Sequence, residues 1–239
     1  MHVKLTNQEI YDRIYTAISE RRLLPGTKLS EEKLAEALHV SRTRVREVLL
    51  RLGQELIVES HHNRGAFVAS PREEDISQVF AVRRALERAI ASELANAKGG
   101  AAIAQLRKHL ESESQARMKN DHAALARLTG EFHVVLAEIT GNRLYAENLR
   151  RLVALTGLII AQYSDNTHGA CPEDEHSEIV RAIEAGDADK AEQLMIDHLN
   201  HVLSGIHPVN EKTNEVDFRA ILGVDVGGAA SLQKTKKLP

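Results

Sequence analysis

The chain has 239 residues, 43% of them hydrophobic and 27% charged, with a net charge of −3, no Trp and 3% aromatics. That composition suits one large or two modest soluble domains built on aliphatic packing, and argues against an aromatic-rich sandwich. No apolar run approaches membrane-spanning length, "MHVKLTNQEI" lacks a signal-peptide core, and a single cysteine, Cys171, excludes an internal disulfide; the expected location is the cytoplasm. The charge is uneven. Residues 1–70 hold 11 Lys+Arg against 9 Asp+Glu (+2), and the remainder 20 against 25 (−5). A polyanion is therefore expected to meet the N-terminal end.

Taken in chain order, Thr6 and Glu9 have capping-box spacing ahead of Ile10, Ile14 and Ile18, which predicts a helix over 7–22. Pro25-Gly26 breaks it. Ser30 can cap a short helix carrying Leu34, Ala35 and Leu38, and Ser41 a third with Val45, Val48, Leu49 and Leu52 on one face. "LIVES" and "AFVAS" around "HHNRG" predict two short strands, with Gly65 in the turn. Three helices and a small hairpin make a winged helix-turn-helix over residues 1–70.

Ser70-Pro71 with Glu73 marks a new helix start. From there, helices are predicted over 71–97, 101–119, 121–139, 143–164, 173–185 and 188–205. The fold class is thus mainly α: the winged domain followed by an all-α bundle over 71–206. The tail, 207–239, contains "KTKK" and is expected to be mostly irregular, with "VDFRAILGV" able to form one short docked element.

"SRTRVRE" sets Arg42, Arg44 and Arg46 at alternate positions. An arginine-rich first turn opposes the helix dipole, so the cluster gains nothing for stability unless an external anion meets it. At the start of a recognition helix, these side chains fan out towards base edges and phosphates, and Ser41 and Thr43 add phosphate donors. Arg64 in the wing is a further candidate contact.

"PGTKLSEEKLAEALHVSRTRVREVLLRL…NRGAFVA" resembles the N-terminal domain of the GntR family of bacterial transcription regulators. The resemblance implies a DNA-contacting set of Ser41, Arg42, Thr43, Arg44, Arg46, Arg64 and Gly65. The chain departs from the family at two places: Arg44 stands where proline is usual, and Glu32 stands where an arginine is usual.

In the bundle, His133, His176 and His198 each fall near an apolar helical stripe. Each could be a hydrogen-bonded core histidine, or the three could converge on a divalent ion. Residues 71 to about 205 are similar to the FCD effector domain of the FadR-like branch. Its Arg-x-x-x-Glu signature is met by Arg83 and Glu87, and its Asp-x-x-Phe-His signature by "TGEFH", with Thr129 in place of the aspartate. The resemblance implies a site of His133, His176 and His198 for Zn²⁺ or Ni²⁺, with weakened or altered preference, completed by water or an effector carboxylate. It also implies that a small organic acid is the effector. Arg83, if not simply paired with Glu87 at i,i+4, is the candidate anion contact, and Thr129 a second candidate effector contact. Glu131 is expected to point away from the site, and His201 is a substitute ligand.

Together these features predict a homodimer that reads an inverted repeat in double-stranded DNA and is released by its effector, a repressor rather than an activator. A metal-dependent hydrolase using the three-histidine centre is the alternative, although neither HExxH nor a nucleophile elbow occurs.

Overall fold

The computed structural model describes residues 5–97, 100–164, 174–207 and 217–222; Cys171 and "KTKK" lie outside them. The order is α1 (Asn7–Ser19), β1 (Lys28–Leu29), α2 (Glu31–Leu38), α3 (Arg42–Gln54), β2 (Val58–His61) and β3 (Gly65–Val68). Then come α4 (Glu73–Ala97), α5 (Gly100–Met118), α6 (His122–Ile139), α7 (Arg143–Tyr163), α8 (Glu175–Ala185), α9 (Ala188–Ser204) and a short α10 (Phe218–Leu222).

The capping box at α1 is complete: Thr6 Oγ1 accepts from the Glu9 N–H, and the Glu9 carboxylate takes the Thr6 N–H at 2.6 Å. Ile10 and Ile14 point inward and are fully buried, each contributing roughly 1.5–3 kcal/mol. The helix stops at Ser19, short of the expected residue 22, because Arg21 takes a left-handed φ of 57°. The Arg22 and Leu23 amides then fold back onto the Ala17 carbonyl, closing the orphan end. Leucine side chains from α2 and α3 complete this core, and His39, left-handed at φ 54°, turns the chain between those two helices.

The sheet order is β1-β3-β2, all antiparallel, with Val58 opposite Val68 and His61 opposite Gly65. β1 was not foreseen; two residues are too few to show the alternation that marks a strand. The strand expected from "LIVES" begins only at Val58, since Leu56 sits at φ 63° and cannot extend the ladder.

The start of α4 also differs from expectation. Ser70 does not cap it; its hydroxyl reaches α7 and donates to Gln162 at 3.1 Å. Asp75 accepts the Arg72 N–H at 2.8 Å instead, and the helix begins at Glu73. Helices α4 to α9 enclose a second core around Phe80, Ile90, Leu106, Phe132, Ile179 and Met195. Gly130 lets α6 approach α7 closely, since a Cβ there would lie 3.0 Å from Val153 Cγ1.

The two cores are joined. Ala154 and Leu158 of α7 belong to the same buried cluster as the winged domain, and Arg127 of α6 pairs with Glu20 at 3.3 Å. Helix α10 docks on the winged domain from the far end of the chain. Phe218 and Leu222 enter its core, Arg13 and Arg22 donate to the Leu222 and Ile221 carbonyls, and Arg219 pairs with Glu36.

Candidate functional site

The first turn of α3 carries no acidic residue, and Ser41 makes no side-chain cap hydrogen bond. Ser41, Arg42, Thr43 and Arg46 are exposed and Arg44 is half-buried. The three arginines are not equivalent. Arg46 holds the Glu31 carboxylate through Nε at 2.8 Å and Nη2 at 2.6 Å, and Arg44 donates to Asn7 at 2.7 Å. Arg42 has no such side-chain hydrogen bond among the described residues and is the most available of the set. In the wing, Gly65 has φ 93°, a turn conformation that favours glycine, and Arg64 lies over the Phe67 ring at 5.6 Å.

In the bundle, His133 of α6, His176 of α8 and His198 of α9 do converge. Their candidate ligand atoms all lie within 4.8 Å of one another, and all three side chains are buried. Each ring is held from behind by a carboxylate on Nδ1: Glu87 of α4 for His133, Glu113 of α5 for His176 at 3.0 Å, and Glu175 for His198 at 2.8 Å. Carboxylates in that position accept a hydrogen bond from Nδ1–H and make Nε2 the lone-pair nitrogen, the arrangement of a metal-ligating histidine. Two such lone pairs face each other, with His133 Nε2 and His198 Nε2 3.2 Å apart. A neutral pair in those tautomers has no proton to share. A cation between them resolves the repulsion, and two nitrogens each ~2.0–2.1 Å from a tetrahedral Zn²⁺ would lie at about that separation.

The electrostatics favour neutral imidazoles at His133 and His198. Burial, the largest effect, pushes His133 down to about 3 and His198 down to about 4, despite the partial restoring pull of Glu87 and Glu175. Glu87 moves the other way from what burial dictates: Arg83 and His133 hold its carboxyl down at about 2. The signs combine. As pH falls through ~6.5, histidines in the unfolded chain take up protons that the fold refuses until about 4 and 3. Below about 4.5 the unfolded counterpart of Glu87 protonates too. Metal-free protein is therefore expected to lose melting temperature steadily from pH 7 to 4, and a flat profile in a thermal-denaturation series would refute these protonation states.

Arg83 is 2% exposed. Its Nε donates to Glu87 at 2.6 Å and its Nη1 to Thr156 at 3.2 Å, whereas Nη2 is buried with no partner among the described residues. Arg83 therefore makes the i,i+4 pair with Glu87, and its remaining nitrogen is the one an anion contact would use. A buried guanidinium N–H without an acceptor costs on the order of 1–3 kcal/mol, which a bound anion would recover. Thr129 lines the same cavity, but its hydroxyl donates back to the Leu125 carbonyl at 3.0 Å and so is spent on its own helix. The face that an aspartate would fill is left without a carboxylate. Glu131 turns to Arg127 at 2.7 Å, although it borders the cavity. His201 is exposed and bonds Glu175 from outside the cluster.

Two of the three supporting carboxylates escaped sequence reasoning. Glu113 follows Leu106 and Leu110 on the inward stripe of α5, and a 3%-exposed glutamate on a core stripe is a detectable signal. Glu175 directly precedes His176 at a helix start and has no such mark.

A winged helix-turn-helix joined to a helical bundle whose cavity is lined by buried histidines and a buried arginine defines a DNA-binding regulator with a ligand domain. No helix among the described residues is long and apolar enough to cross a membrane. The profile of the gntR family of bacterial regulatory proteins matches residues 6–68, and that of the FCD domain matches residues 78–201. The chain belongs to the GntR family of transcriptional regulators, in the branch that carries an FCD ligand-binding domain, and it is not an enzyme. The E. coli K12 transcriptional repressor RspR is 24% identical over 212 residues, covering 87% of this chain and 92% of its own. LutR of Bacillus subtilis is 28% identical, covering 81% and 99%. A GntR regulator from Rhodococcus sp. RHA1 superimposes with a TM-score of 0.73 at 26% identity, over 83% of this chain and 95% of its own. E. coli McbR/YncC, at 19% identity, shares the fold with a TM-score of 0.72, covering 83% and 95%.

Proposed function

We propose that this regulator is a repressor that binds an inverted-repeat operator as a homodimer and leaves it when a small organic acid occupies the bundle. Two-fold symmetry sets two copies of α3 against two half-sites about one helical turn apart, with Ser41–Arg46 in the major groove and Arg64 and Gly65 on the flanking backbone. His133, His176 and His198 hold a divalent metal, Zn²⁺ or Ni²⁺, which supplies an electrophilic position for the acid. Arg83 binds the same anion through Nη2. The observation that carries this reading is three buried, carboxylate-backed imidazoles converging beside a buried guanidinium with one nitrogen unmatched among the described residues. A coupling of ~1–3 kcal/mol between the two sites suffices for a working switch.

Gel-shift titration of the upstream region of its own gene, with Zn²⁺-loaded protein and a panel of short carboxylic acids, tests the proposal. At least one acid is expected to weaken binding by roughly five- to 150-fold. The same acid should have no such effect on Arg83→Gln. Release that is indifferent to Arg83 would count against it.

A further inference from the structure

The cavity beside the histidines is not enclosed by the bundle alone. Tyr15, Ile18, Ser19 and Arg21 from α1 and its closing turn line it, together with Ile57, so the DNA-binding domain forms one of its walls. Arg127, which also lines it, spans the domain boundary through its ion pair with Glu20. The cavity volume is about 70 Å³. That is far below the ~300–1,000 Å³ typical of ligand sites. A metabolite larger than this needs the walls to part, and among the described residues the domain boundary is the wall not built into the bundle's core.

The boundary also carries charge. Arg83 projects from α4 with its unmatched donor, and Arg21, half-buried and desolvated, lines the cavity from the DNA-binding domain. Apolar side chains of Ile18, Val153 and Val202 lie along the same walls. Two guanidiniums contributed by different domains, with an aliphatic lining, describe a site for a short dianion rather than a monocarboxylate. We propose that the effector is a short aliphatic dianion held by both domains at once, one acid group on Arg83 and the histidine cluster and the other on Arg21. Seating it moves α1 off the bundle. Arg21 is thus a specificity residue supplied by the domain that reads DNA. This rests on the effector reading of the site given above.

Calorimetry on the full-length Zn²⁺-loaded protein, with butyrate against succinate and glutarate, tests the inference. At least one dianion is expected to bind about tenfold or more tightly than butyrate, as one added charge-assisted contact allows. Arg21→Gln should erase that preference without weakening butyrate, and Arg21→Lys should keep part of it. Hydrogen exchange of the α1 amides should quicken when the dianion is bound. If butyrate binds in an Arg83-dependent way but the dianions gain nothing, or if Arg21→Gln weakens both acids equally, the two-domain site is wrong and the Arg83 site stands. If no acid binds, or binding ignores Arg83→Gln, the effector reading itself fails.

Discussion

Arg42→Ala is expected to weaken operator binding by about 1–3 kcal/mol, or roughly five- to 150-fold, and to leave acid binding unchanged. The reason lies in the partners. Arg42 is exposed at the start of α3 and donates no side-chain hydrogen bond among the described residues, whereas Arg46 must first surrender a two-point contact with Glu31. Arg46→Ala should therefore cost less than Arg42→Ala, because part of what Arg46 gains from DNA only replaces what it gives up. If Arg42 holds a phosphate, the slope of log affinity against log salt should shrink by about one and all sequences should suffer alike; if it reads a base, discrimination at one position should relax. Equal operator affinity for Arg42→Ala and the parent would remove the recognition helix from its assigned role.

The second large effect concerns the histidines. Adding Zn²⁺ or Ni²⁺ should raise the melting temperature, by an amount equivalent to about 2.7 kcal/mol at a free concentration 100-fold above Kd. His198→Ala should abolish the shift. Glu113→Gln, which disturbs the support behind His176 along with the contact between Glu113 and His109, should weaken metal binding by roughly 10–100-fold. Thr129→Asp should tighten it, since an aspartate one turn before His133 would restore a carboxylate to the open face. A thermal shift that survives His198→Ala undiminished would mean that the ion binds elsewhere.

Much of this molecule is legible in the order of its residues. Capping chemistry at Thr6 and Ser30, apolar spacing in α1 to α3 and the breaks between the bundle helices depend on near neighbours, which a sequence displays. What stayed hidden depends on distant ones. β1 exists only because β3 lies beside it, and Ser70 gives up its cap because Gln162 is within reach. At the site, the three histidines stood out, but the carboxylates that set their tautomers come from α4, α5 and the start of α8, and no spacing rule links Glu113 to a histidine 63 positions away. The partnerless donor of Arg83 was likewise invisible, since Arg-x-x-x-Glu spacing speaks for an ion pair and says nothing of the third nitrogen.

Helix α10 has a consequence for how the protein is made. Phe218 and Leu222 seal a core whose other members come almost entirely from the first 70 residues. A ribosome delivers those early residues long before the late ones, and N-terminal domains generally fold as they emerge. Here the head waits on its last piece: the nascent winged domain exposes an apolar seam throughout synthesis of the bundle, and the reading head closes only when residues 218–222 have left the exit tunnel.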